Sequence, residues 1–124
     1  MKTSGLGVDG ERLAKEYLEA TGYRILEQNF ISRFGEIDII ATSERFLCFV
    51  EVKTRSSSNN LATGFESISP QKQQRIIKSA EYYLATHARQ VEKAGLQPRF
   101  DCMEINVDEN DVNIRMIENA FCLE

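Results

Sequence analysis

The chain has 124 residues, 42% hydrophobic and 27% charged, with a net charge of −4. That length suits a single domain spanning residues 1–124 with a real core, and no apolar run reaches the ~20 residues a bilayer-spanning helix needs. The acidic balance argues against a simple nucleic-acid coat protein, although residues 101–124 carry −6 and the rest of the chain +2. The opening "MKTSGLGVDGE" has no apolar signal-peptide core, so a cytoplasmic location away from membranes is expected. Cys48, Cys102 and Cys122 lie far apart in apolar surroundings. With no CxxC pair and with His87 as the lone histidine, they read as reduced core residues rather than zinc ligands.

In chain order, Leu13, Ala14, Tyr17 and Leu18 recur at helical spacing from Val8 to about Thr21, and Gly22 suits a C-terminal cap. "YRILEQNF" reads as a strand and "RFGE" as a turn. Two strands follow over 36–42 and 46–54. "RSSSNNLATG" reads as a polar loop. Ser69 and Pro70 are the N-cap and first residue of a long helix. Its apolar stripe is Ile76, Ile77, Ala80, Tyr83, Leu84 and Val91, and Gly95 ends it. "RFDCMEINV" and "VNIRMI" alternate as strands, with Phe100, Cys102 and Glu104 on one face of the first. The order α-β-β-β-α-β-β predicts an α/β fold, a mixed central sheet flanked by helices. The crossover helix allows the fourth strand to run parallel to an earlier one.

The stretch "GEIDIIATSERFLCFVEVKTR" reads as a hydrophobic hairpin that accepts charges. If its turn is centred at Glu44–Arg45, Asp38 lies opposite Glu51 and Glu36 opposite Lys53. Period-two alternation then gathers these four on one face with Ile40, Leu47 and Phe49. Ile37, Ile39, Cys48, Val50 and Val52 take the other face. Two facing carboxylates between apolar faces repel each other and resist ionisation. A divalent cation relieves both problems: Mg²⁺ takes carboxylate oxygens, a backbone carbonyl such as that of Val52, and water. The plainer reading is a pair of exposed charges at a strand end.

"GERLAKEYLEATGYRILEQNF", "GEIDIIA", "FVEVKTRSS" and "RFDCMEI", in that order, resemble the YraN-like family of predicted endonucleases. That family is related to archaeal Holliday junction resolvases within the PD-(D/E)XK nuclease superfamily. The likeness runs from about Gly10 to Phe121. It implies a restriction-endonuclease-like αβββαβ core and Mg²⁺- or Mn²⁺-dependent cleavage of DNA, including branched DNA, with a homodimer as the assembly for cutting two strands. The sequence departs from the family pattern at "LATGFESIS", and Ile37 stands where a literal "PD" would carry proline.

The resemblance makes Asp38 and Glu51 direct metal ligands. Lys53 would then position or deprotonate the attacking water, or neutralise the phosphate. It also matches Glu11 to a helix-one acid near the metal. Spacing alone puts Glu11 on the buried stripe with Ala14 and Leu18, where an acid in the first turn also suits the helix dipole. Glu36 is either a supporting partner of Lys53 or solvent-exposed. Arg33, Arg55 and Lys72 flank the site and could touch phosphates, whereas Arg75 and Lys78 read as a solvated helix face. No aromatic platform of the single-strand-binding kind is visible. The alternative function is a nucleic-acid-binding or protein-interaction module that keeps the nuclease fold without turnover.

Overall fold

The computed structural model describes residues 9–56 and 68–121. The elements are α1 (Gly10–Ala20), β1 (Arg24–Ser32), β2 (Gly35–Thr42), β3 (Phe46–Ser56), α2 (Pro70–Thr86), α3 (Ala88–Ala94), β4 (Gln97–Val107) and β5 (Val112–Phe121). The strands form one sheet in the spatial order β1-β2-β3-β4-β5. Neighbours are antiparallel except β3 and β4, which run parallel. This mixed α/β architecture, with helices on both faces, is consistent with a restriction-endonuclease-like core. No helix among the described residues is long and apolar enough to cross a membrane. Cys122 and most of the polar loop after β3 lie outside the described residues.

Local chemistry explains the ends of the elements. The Asp9 carboxylate caps α1 by accepting from the Arg12 N–H. At its other end the Tyr23 N–H reaches the Leu18 carbonyl and the Gly22 N–H that of Glu19, with Gly22 at φ 99°. Ser69 Oγ accepts from the Lys72 N–H to start α2, with Pro70 in the first turn. The expected single helix from Pro70 to Gly95 is broken at His87, whose φ is −126°. Side chains cause the break. Thr86 Oγ1 donates to the Tyr83 carbonyl, and the His87 ring stacks on Tyr83 with its Nδ1 at that same oxygen.

Two apolar layers cover the sheet. Ala14 and Leu18 of α1 pack on Ile39, Cys48, Val50, Met103 and Ile105. Ile76, Ile77, Ala80 and Tyr83 of α2 pack on Ile40, Leu47, Phe49, Phe100 and Cys102. β3 and β4 are therefore covered on both faces, which accounts for their near-continuous apolar runs. At the hairpin end of the sheet, Arg99 grips the fully buried Asp101 through Nε at 2.9 Å and Nη2 at 3.0 Å. Tyr23 Oη accepts from Nη2, and the Asn119 N–H donates to Asp101. Arg99 also lies 4.6 Å over the Phe46 ring.

This buried pair dictates one expected result. Asp101→Ala strands the Arg99 charge and lowers stability by about 3–5 kcal/mol, measurable by urea unfolding. A second follows from Cys48, whose thiol is pushed up to about 12 by burial, and then by the Asp101 charge. A raised folded-state value keeps its full contribution below the unfolded value of about 9 and loses it as pH rises towards 12. Stability therefore falls over that alkaline window, and the fall is shallower in Cys48→Ala.

Candidate functional site

The hairpin turn is centred where the sequence puts it. Thr42 pairs with Leu47, Ala41 with Cys48, Ile40 with Phe49 and Ile39 with Val50. There the ladder stops. Instead of a backbone partner, the Val52 N–H finds Asp38 Oδ2 at 2.8 Å. The side chain of Asp38 thus takes the acceptor role that a β2 carbonyl would have had. On the other side of β2, Ile37 pairs with Phe30 and Ile39 with Gln28, while Asn29 between them is left-handed at φ 52°. The alternation breaks at this level. Ile37, expected beside Ile39, joins Ile40 and Phe49 under α2. Asp38 and Glu51 are therefore neighbours at the end of the β2–β3 ladder rather than one of its regular cross-strand pairs.

Both acids are buried, Asp38 at 4% and Glu51 at 6% exposure. Glu51 shares a face with Leu47 and Phe49, and its Oε2 meets Lys72 Nζ of α2 at 2.5 Å. Lys72 is thus tied to a carboxylate and does not project as an independent phosphate contact. Its side chain remains about half exposed, at 47%. Lys53, half-buried, lies two residues along on the same face and is level with Glu104 across the parallel ladder. Arg55 ends this row, with Nη2 at 3.8 Å from Glu104 Oε2, while Arg115 Nε lies 3.7 Å from Oε1. The Cys102 thiol is pushed up to about 11, mainly by burial; Lys53 and Arg55 oppose the shift, while Glu104 and Glu51 reinforce it.

Glu11 arrives from the opposite face. It is buried beside Ala14 and Leu18 on α1. Gly10 lies against Thr54 so closely that a Cβ would collide with Thr54 Oγ1. This contact seats the start of α1 on the C-terminal half of β3. Glu36 is exposed at the start of β2, the outer of its two expected positions. Arg33 is exposed, with its guanidinium 5.0 Å over the Phe34 ring. Among the described residues, no three His, Cys, Asp or Glu side chains converge on a common metal position.

The donor set nonetheless fits a hard cation that keeps several waters. Asp38 and Glu51 are anionic oxygen donors at one ladder end. The ammonium of Lys72 on Glu51 shows that this place already takes positive charge. A strand residue points its N–H and C=O to the same side, so the Val52 carbonyl faces β2 where the backbone ladder has ended. Glu104 stands beside the row of Lys53 and Arg55, unexpected from the sequence. Its signal was present, since Phe100, Cys102 and Glu104 alternate onto one face, but only the parallel register brings it level with Lys53.

Fold and site together define a mixed-sheet α/β protein with a cluster of buried acids and a lysine at the end of its central hairpin. The chain belongs to the uncharacterised protein family UPF0102, whose model matches residues 10–105, the family towards which the YraN-like motifs pointed. It is 48% identical over 106 residues to a UPF0102 protein of Chlorobium limicola, covering 86% of this chain and 78% of that one. A UPF0102 protein of Persephonella marina is 46% identical over 122 residues, covering 95% and 94%. One from Caldicellulosiruptor bescii is 42% identical over 123 residues, covering 98% and 100%.

The close approach at Gly10 gives a test of how Glu11 is held. Gly10→Ala forces α1 away from β3 and costs about 1–3 kcal/mol in thermal or urea unfolding. In a Thr54→Ala background the same substitution costs less than it does in the wild type.

Proposed function

We propose that this protein is a metal-dependent nuclease that hydrolyses phosphodiester bonds in DNA, including branched DNA. The observation that carries the reading is the ladder end, where Asp38 takes over the N–H of Val52, the residue between Glu51 and Lys53. Burying two carboxylates is costly unless positive charge and hydrogen bonds compensate them. The family resemblance supplies a use that fits their order and spacing.

In this reading Asp38, Glu51 and the Val52 carbonyl hold Mg²⁺ or Mn²⁺. When bound, the ion supplies Lewis acidity to the phosphate and an activated water. Lys53 orients that water or screens the charge that builds on the phosphate oxygens. With an ion held by Glu51, the half-exposed Lys72 ammonium would be free to meet a phosphate instead. Glu11 adds negative charge from the α1 side. Arg55 is held by Glu104 at the far end of the row, and Arg33 extends the positive surface beyond the β1–β2 turn.

One observation favours a second reading. Lys72 already neutralises Glu51, as would suit a DNA-binding module that keeps the fold without turnover. That reading predicts salt-sensitive DNA binding that neither Glu51→Ala nor a chelator alters.

The deciding assay incubates purified protein with Mg²⁺ or Mn²⁺ and linear, single-stranded and four-way-junction DNA. Cleavage of at least one substrate is expected. Asp38→Ala and Lys53→Ala should each slow it by at least about 10²-fold while circular dichroism stays native. Intact DNA throughout, with no metal binding by calorimetry, would sink the nuclease reading.

A further inference from the structure

The start of β2 and one edge of α2 enclose a second feature. Arg33, Phe34, Lys78, Glu81 and Tyr82 line an open cleft of about 400 Å³, within the range of small-ligand sites. Phe34 and Tyr82 are 48 positions apart in the chain, and the fold brings them together. Tyr82 is 49% exposed although its ring lies 6.3 Å from Phe30. The Arg33 guanidinium covers Phe34 at 5.0 Å. Ser32 and Ser79 hydrogen-bond at 2.9 Å and tie the β1–β2 turn to α2.

The cleft is connected to the acid cluster by charge. Lys72, Arg75, Lys78 and Tyr82 follow one another at i+3, i+3 and i+4, so they form one stripe of α2. The stripe begins on Glu51, through Lys72, and ends in the cleft about 15 Å away at 1.5 Å per residue. Arg75 borders the same turn, since a Cβ on Gly35 would lie 3.4 Å from its Cβ. Arg75 and Lys78 are exposed. A row of cations ending at the exposed Tyr82 ring, beside a half-buried Phe34, complements a polymer with spaced phosphates and flat bases.

We infer that the cleft holds an unpaired nucleobase, so that the preferred substrate is a nucleic acid with a single-stranded segment next to the bond presented at the Asp38–Glu51 end. In a duplex the base faces are stacked inside and cannot reach Phe34 or Tyr82, whereas a tail or an opened branch point offers them. Glu81 is the one acid in the lining; its carboxylate can accept from an exocyclic base amine, while Arg33 and Lys78 take the flanking phosphates. The direction of the track rests on the nuclease reading, but the cleft itself does not.

The test measures binding by fluorescence anisotropy in chelator at low salt, where no cleavage occurs. The probes are a labelled single-stranded 12-mer of mixed DNA sequence, the same sequence as a blunt duplex, and the RNA counterpart. The full-length protein should bind the single strands on the order of tenfold more tightly than the duplex. Tyr82→Ala should lose about tenfold in single-strand affinity and Tyr82→Phe should retain it, because stacking needs the ring and not the hydroxyl. A folded Arg33→Glu, Lys78→Glu variant should also bind weakly, which tests the cleft with Tyr82 intact. Equal binding of the RNA strand supports the shared base-and-phosphate chemistry. A preference for duplex, absence of oligonucleotide binding, or wild-type affinity in both sets of variants overturns the inference. Tyr82-dependent binding by a protein that never cuts DNA with metal would sink the nuclease reading and leave this one standing. Metal-dependent cutting with binding indifferent to Tyr82 would do the reverse.

Discussion

The hydrogen bond from the Val52 N–H to Asp38 Oδ2 is the constraint around which the proposed site is arranged. An antiparallel ladder normally satisfies its backbone donors with backbone acceptors, and it would continue towards Glu36 and Lys53 if nothing intervened. Here a side chain substitutes for the backbone. The donor stays satisfied inside the sheet, so ending the ladder leaves no orphaned Val52 N–H. Asn29 accommodates the same irregularity on the β1 side by adopting a left-handed conformation. The result is a central hairpin that is regular near its turn and open at its far end, where the acids stand.

The two ends of the sheet treat buried charge differently. At the hairpin end, Asp101 is enclosed by a bidentate arginine and a backbone N–H, and that arginine also donates to a tyrosine. Such a network is satisfied and closed. At the opposite end, Glu104 meets Arg55 and Arg115 only at 3.8 and 3.7 Å, and its Oε2 accepts no hydrogen bond. Glu51 leans on a lysine whose side chain is about half in solvent. Both carboxylates are buried, so each needs compensating positive charge. The first end is closed by its own partners; the second leaves a buried carboxylate oxygen of Glu104 without a hydrogen bond.

Much of this was legible because two periods dominate the sequence. A turn centred at Glu44–Arg45 gave the register of the four pairs from Ile39 to Thr42, though not the two expected beyond them, and period 3.6 put Glu11 on the buried stripe with Ala14 and Leu18. What escaped was whatever depends on a break in a period or on distant partners. Ile37 changed face because Asp38 interrupts the alternation, which no count of apolar positions registers. The helix break at His87 came from side chains competing for carbonyls within one turn. Glu104 carried the right parity, but its level beside Lys53 requires the β3–β4 register. Phe34 and Tyr82 looked unrelated along the chain, and only the docking of α2 against the β1–β2 turn makes them neighbours.

The single parallel junction, between β3 and β4, also shapes how the chain is made. β1, β2 and β3 can pair as soon as they leave the ribosome, since short turns join them. β4 follows only after α2 and α3 have been synthesised. Until then β3 displays the run from Phe46 to Val50 on an open edge, with unpaired backbone groups and apolar side chains on both faces. Such an edge is a template for pairing with another nascent chain. The charged tail of β3, with Glu51, Lys53 and Arg55, interrupts that apolar run. The same charged residues thus limit the apolar run on the edge that β3 offers before β4 is made.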